Sequence, residues 1–194
     1  MRSITPSDLE KLRQAHNEGR FAEFKRGKRF GSGITGYVTE YSPEVFVIEE
    51  LNWDCFRLGG VAILPVKTVA GLRIFAADDW KIRAAKELGV TKRVSFQLTK
   101  KPFSSIVKEV MSDSRLMEIE SSQSEPDELL LVECLQLTKL KMRVKSYDAN
   151  LKPACEFDIR FSEITKLTVR DGYCHAAEIG LKVPRQKQPT AAQA

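Results

Sequence analysis

Leu64-Pro65-Val66-Lys67-Thr68-Val69-Ala70-Gly71-Leu72-Arg73-Ile74 carries apolar residues at 64, 66, 69, 72 and 74. About 95 residues later, Ile159-Arg160-Phe161-Ser162-Glu163-Ile164-Thr165-Lys166-Leu167-Thr168-Val169 repeats that spacing with apolar residues at 159, 161, 164, 167 and 169. A period of two on either side of a three-residue step predicts a strand, one tight turn of 3₁₀ type, then a second strand. Because the pattern occurs twice, the fold is read as a duplication.

The echo extends upstream. Arg20-Phe21-Ala22-Glu23-Phe24 matches Arg115-Leu116-Met117-Glu118-Ile119 in type at every position, and Val38, Val45 and Val47 align with Leu135, Met142 and Val144. Each of these segments follows a helical stretch. In the first, Leu9, Leu12 and Ala15 recur at helical spacing behind a Ser7–Glu10 capping box, and Gly19 provides the stop. In the second, spanning Phe103 to Met111, the apolar side carries Ile106, Val107 and Val110. Strands are predicted near 21–26, 34–41, 45–51, 61–66 and 71–75, and again near 115–120, 130–137, 140–146, 156–161 and 166–170. A five-stranded set of this size must curl its apolar face inward to bury it. Gly31, Gly33 and Gly36 suit a sharp bend in the long second strand.

A further helix is expected from Asp78 to Leu88, with Trp80, Ala84 and Leu88 on one stripe, and Val94 to Leu98 reads as a strand or an extended linker. The polar end, 182–194, reads as a flexible tail. The fold class is therefore mainly β with short helices (α+β), in two five-stranded barrels each preceded by a helix. The expected divisions are 1–91, 92–181 and the basic tail 182–194.

Composition excludes several classes of function. The 194 residues carry 31 Lys and Arg against 26 Asp and Glu, for a formal charge of +5. No apolar run reaches the roughly 20 residues of a membrane span, and Met1-Arg2-Ser3-Ile4-Thr5-Pro6 does not read as a signal peptide. Cys55, Cys134, Cys155 and Cys174 form no C-x-x-C pair and read as free thiols of a reducing, cytoplasmic compartment. Cys155, Cys174 and His175 read as packing residues rather than metal ligands. With His16 and His175 as the only histidines and no nucleophile–base pairing in the local pattern, no catalytic residue, cofactor or small-molecule substrate is assigned. Gly31-Ser32-Gly33-Ile34-Thr35-Gly36 spells G-x-G-x-x-G, but the β-alternating Tyr37-Val38-Thr39 follows where a phosphate-binding helix would have to begin.

A helix, five strands and a strand–3₁₀–strand closure, met twice over residues 5–181, resemble the Sm-like (LSm) barrel, a branch of the SH3-like small barrels. The resemblance implies tandem Sm-like units, similar to uncharacterised bacterial Sm-like proteins, with loops able to bind RNA and edge strands able to pair between subunits. The Asp-x-x-Asn arrangement that the family carries after its second strand is replaced here by Ser42-Pro43-Glu44-Val45 and Thr138-Lys139-Leu140-Lys141. Its later Arg-Gly dipeptide is replaced by Val66-Lys67-Thr68-Val69 and Phe161-Ser162-Glu163-Ile164.

Two cationic groups are the candidate nucleic-acid contacts. Lys139, Lys141, Arg143 and Lys145 alternate with apolar residues, which in a strand puts them on one face about 7 Å apart, near the spacing of successive phosphates. Lys25, Arg26, Lys28 and Arg29 lie beside Phe24 and Phe30, which could stack bases. The second copy's corresponding loop is acidic, with Glu120, Glu125, Asp127 and Glu128. Net charge is accordingly +4 over 1–98, −2 over 99–181 and +3 in the tail, an asymmetry that also suits head-to-tail contact between units. The leading expectation is a non-catalytic binding or scaffold module that engages a protein partner, or itself, through barrel surfaces and strand edges, with no role for a membrane. The alternative is an RNA- or single-stranded-nucleic-acid-binding protein.

Overall fold

The computed structural model describes residues 4–30, 32–90, 96–112, 114–125 and 128–182, and of Arg29 the backbone alone. The expected boundary at 91–92, Gly31, Val94, Ser95, Asp127 and the tail from 183 onward therefore lie outside the described residues. No helix among those described is long and apolar enough to cross a membrane.

The first half runs α1 (Pro6–Asn17), β1 (Ala22–Arg26), β2 (Ile34–Tyr41), β3 (Val45–Asn52), β4 (Arg57–Pro65), a 3₁₀ turn (Val66–Thr68), β5 (Val69–Ile74) and α2 (Trp80–Glu87). After the two-residue β6 (Gln97–Leu98), the same grammar returns as α3 (Phe103–Val110), β7 (Leu116–Ser121), β8 (Leu130–Leu137), β9 (Lys141–Tyr147), β10 (Pro153–Arg160), β11 (Ile164–Val169) and α4 (Gly172–Lys182). In the second copy the step before the last strand is a plain turn, closed by the Glu163 amide donating to the Arg160 carbonyl at 2.9 Å.

The strands do not separate into two closed sheets. One antiparallel path runs β10-β9-β8-β7-β11-β4-β3-β2-β1-β5, with β6 alongside β2. The reason lies in the strand edges: β4 and β11 would each end a set with unpaired N–H and C=O groups, and they pair with one another instead. Within each set the strand order is the same, with the fifth strand beside the first.

Pairing registers also repeat, down to their bulges. In both copies the ladder between first and fifth strands slips at corresponding positions (Ala22↔Ile74 through Arg26↔Val69, and Met117↔Val169 through Ser121↔Ile164). The ladder between second and third strands slips after Val38↔Ile48 in one copy and after Cys134↔Val144 in the other. These registers equate Val38 with Cys134, Phe46 with Met142 and Ile48 with Val144. The sequence alignment of Val38 with Leu135 and of Val45 with Met142 is thus one residue out, which exchanges the two faces of a strand.

Apolar residues from all five strands of the first half gather in one core, among them Phe24, Ile34, Phe46, Leu64 and Val69, so that part of the sheet is strongly curved. A second core gathers Ile119, Val132, Val144, Ile159 and Ile164 under α3, and it also takes in Val45, Val47 and Ile63 from the first half. Strand β3 is buried on both faces, which is why Val45-Phe46-Val47-Ile48 reads as a continuous apolar run. Gly36 sits where β2 crosses β3 closely: a Cβ there would lie 2.1 Å from the Glu49 carbonyl oxygen.

The helices depart from the sequence reading in three places. The capping box of α1 is Thr5 with Asp8, not Ser7 with Glu10, and Pro6 occupies the first turn. On α2 the buried residues are Ile82 and Ala85, whereas Trp80 and Leu88 are 60% and 63% exposed. The core beneath, formed by Phe21, Tyr37, Leu51 and Phe75, selects that face. Helix α4 has no counterpart in the sequence reading. Asp171 caps it by accepting from the Cys174 amide at 2.6 Å, and Cys174 and Ala177 pack on Leu116, Leu131 and Tyr147.

Candidate functional site

The junction between the halves and the two free strand edges form the candidate site. At the junction β11 pairs antiparallel with β4, with Leu167↔Ile63, Thr168↔Ala62 and Val169↔Val61 in register. Gly60 lets the chains approach, since a Cβ there would stand 2.5 Å from the Val169 carbonyl oxygen and 2.8 Å from Asp171 Cβ. Side chains reinforce the join. Arg26 Nη1 donates to Glu120 Oε2 at 2.6 Å, and Arg26 Nη2 to the Thr165 carbonyl at 3.3 Å, with the two side chains only 1% and 8% exposed. Lys166 pairs with Glu50 at 3.0 Å, and Lys67 donates to the Ser162 carbonyl. The Phe103 amide at the start of α3 donates to Glu44 Oε2 at 3.1 Å. Beside this join, burial and then the neighbouring Asp171 push the Glu118 carboxyl up to about 8.

Joining β4 to β11 leaves the other two end strands without that partner. Among the described residues, β5 is laddered only to β1 and β10 only to β9. Strand β10 is exposed at most of its positions, including Cys155, Glu156 and Asp158.

The structure distributes the expected nucleic-acid residues unevenly. Lys141, Arg143 and Lys145 do share one face of β9, but acids on the flanking strands oppose them. Lys141 Nζ lies 2.5 Å from Asp158, Arg143 lies 3.4 Å from Glu156, and Lys145 is in register with both Glu133 and Glu156. Lysine pairing holds the Asp158 carboxyl below its usual range, and Arg115, hydrogen-bonded to Glu133 at 2.7 and 3.1 Å, does the same for Glu133. Lys139 sits at the β8–β9 turn, exposed.

In the other group, Lys25 and Lys28 are exposed, whereas Arg26 is inside, its guanidinium engaged by Glu120. Phe24 is fully buried and Phe30 half-buried, so no open pair of rings stands beside these cations. Arg29 belongs to a 3₁₀ turn, Lys28–Phe30. In the sheet order β1 and β9 are far apart, and the two groups form no continuous strip along the strands.

The G-x-G-x-x-G stretch leads into β2 and not into a helix. Cys155 lies on β10 and Cys174 within α4, where burial pushes the Cys174 thiol well up. Sequence reasoning missed the Arg26–Glu120 pair: both charges are visible, Arg26 at the end of β1 and Glu120 in β7, but no local spacing brings them together. Comparison of the chain with protein-family models, with curated proteins and with solved structures gives no match.

Proposed function

We propose that this chain is a non-catalytic, cytoplasmic assembly module of the Sm-like kind, made of two open five-stranded barrels in tandem, and that it self-associates through its strand edges. The β4–β11 ladder carries this reading. It is a heterologous contact, in which one kind of edge meets another, and such a contact leaves one edge of each kind unsatisfied at the ends of the pair. By the internal equivalence of the copies, β10 stands for β4 and β5 for β11. Carrying the junction register across opposes Asp158 to Leu72, Phe157 to Arg73 and Glu156 to Ile74 of a second copy. The shared strand order, the shared bulges and the strand–turn–strand closure support the family reading.

Nucleic acid binding along β9 is the weaker reading, because acids of β8 and β10 already neutralise that face and phosphate contact would have to displace them. Sedimentation velocity over a wide concentration range tests the proposal. Self-association that grows with concentration and is lost when Asp158→Pro removes a β10 donor facing away from β9, with the fold checked by circular dichroism, supports it. A 21.9 kDa monomer at every concentration overturns it.

A further inference from the structure

A cavity of about 770 Å³ opens at the end of the junction, between turns of the two halves. Four turns frame it: the β2–β3 turn with Pro43 and Glu44, the 3₁₀ turn with Val66 and Lys67, the β8–β9 turn with Lys139 and Leu140, and the β10–β11 turn with Arg160 and Phe161. Ile4 and Tyr41 complete the walls, and Phe103 of α3 is part of the lining. This volume falls within the range of small-molecule sites, which are mostly apolar with a few placed polar groups.

Three observations on the lining define the ligand. First, Lys67, Lys139 and Arg160 bring three cations to the cavity against a single acid, Glu44, whose carboxylate already accepts from the Phe103 amide. The lining is therefore matched to an anion. Second, Leu140 is 78% exposed at the tip of a hairpin, a position that polar turn residues ordinarily fill. A hydrocarbon lying across the mouth would cover it. Third, Phe103 and Phe161 are packed together with centroids 4.8 Å apart and are only 6% and 7% exposed. They offer no open faces for a stacked base, whereas the more accessible Ile4 and Pro43 offer aliphatic wall.

We infer that this cavity binds a single-chain anionic amphiphile, a fatty carboxylate of roughly twelve carbons, with its chain among the aliphatic walls and its head at Lys139 and Arg160. The sequence alone offers no small-molecule ligand, because the lining residues come from four separate turns that only the fold brings together. The inference is separable from edge pairing, since the free edges give the cavity only Arg160, the last residue of β10, which lies outside the 156–158 register proposed for pairing.

Calorimetric titration of the full chain with dodecanoate tests it, with dodecyltrimethylammonium as the cationic counterpart. The expected result is one saturable site per chain at micromolar concentration, affinity falling about fourfold per methylene removed, and at least tenfold weaker binding of the cationic amphiphile. Lys139→Glu/Arg160→Glu, whose fold is checked by circular dichroism, should weaken dodecanoate at least tenfold and reverse the preference. A Leu140→Trp variant should shift its emission to the blue on saturation. No saturable binding below about a millimolar, equal affinity for both amphiphiles, or unchanged affinity in the charge-reversed variant would overturn the assignment. Salt-sensitive displacement of dodecanoate by poly(U) at the Leu140→Trp reporter would also overturn it and give the cavity to a nucleic acid strand.

Discussion

Replacing Glu120 by Leu strips the Arg26 guanidinium of its carboxylate in a site where 1% of the arginine side chain meets solvent. The Thr165 carbonyl, 3.3 Å away, is then the acceptor left to it, and it carries no full charge. Breaking a buried ion pair from one side costs about 3–5 kcal/mol, chiefly the desolvation of the abandoned charge. For a chain of this size that lowers the melting temperature by roughly 10 °C. The double variant Arg26→Met/Glu120→Leu removes both charges and leaves apolar groups of similar bulk. It should return to within about 1 kcal/mol of the parent, because the pair itself roughly breaks even against a packed apolar substitute. Urea unfolding of the parent, both single variants and the double variant gives the coupling energy directly. A single-variant loss below about 1 kcal/mol, or a double variant as damaged as either single one, would refute the claim that this pair is desolvated at the junction.

Other consequences are open to the same kind of measurement. Gly60→Ala forces a Cβ against the Val169 carbonyl and Asp171, so chemical denaturation should show a loss of about 1–3 kcal/mol; a neutral substitution would mean that the strands approach less closely than described. Glu118 has a folded-state pKa raised to about 8, so its stabilising contribution is complete below the unfolded carboxyl range and disappears as pH rises through that value. Because the carboxyl keeps partial access to solvent, Glu118→Gln should gain only about 1–2 kcal/mol at pH 9 and almost nothing at pH 4, and a gain independent of pH would contradict the assignment. Exposed Cys55 and Cys155 should react with a thiol reagent at once, while buried Cys174 should wait for unfolding; rapid labelling of Cys174 in the native protein would place α4 elsewhere. Since acids on β8 and β10 oppose the β9 cations, poly(U) should show no saturable binding near physiological salt, and a steep salt slope lost in Lys141→Ala/Arg143→Ala would reverse that view.

What the sequence reveals here depends on how local the determining physics is. The strand–turn–strand echo is carried by period and spacing, and β5 and β11 fall within two residues of their expected positions. The equivalence of β2 with β8 is misjudged because each strand bulges, and a bulge inserts a residue that a period-two count cannot see. On α2, Trp80 and Leu88 look like core by type, yet the face is chosen by Phe21 and Phe75, which lie outside that helix. Helix α4 escapes notice because its buried residues, Cys174 and Ala177, are small and give little amphipathic signal. Arg26 and Glu120 are both visible as charges, but their burial follows from the β4–β11 pairing, a long-range contact that no local pattern encodes.

The edge-pairing account is tested most directly by an intermolecular disulfide trap. Chains carrying Arg73→Cys and chains carrying Phe157→Cys, both with Cys55 and Cys155 changed to Ser, are mixed and oxidised under mild conditions. The carried-over register predicts efficient cross-linking of the two kinds of chain to each other, and little of either to a Gln136→Cys control placed away from both edges. Absence of the mixed dimer at concentrations where the parent associates, or equal yield with the control, would contradict β10–β5 pairing.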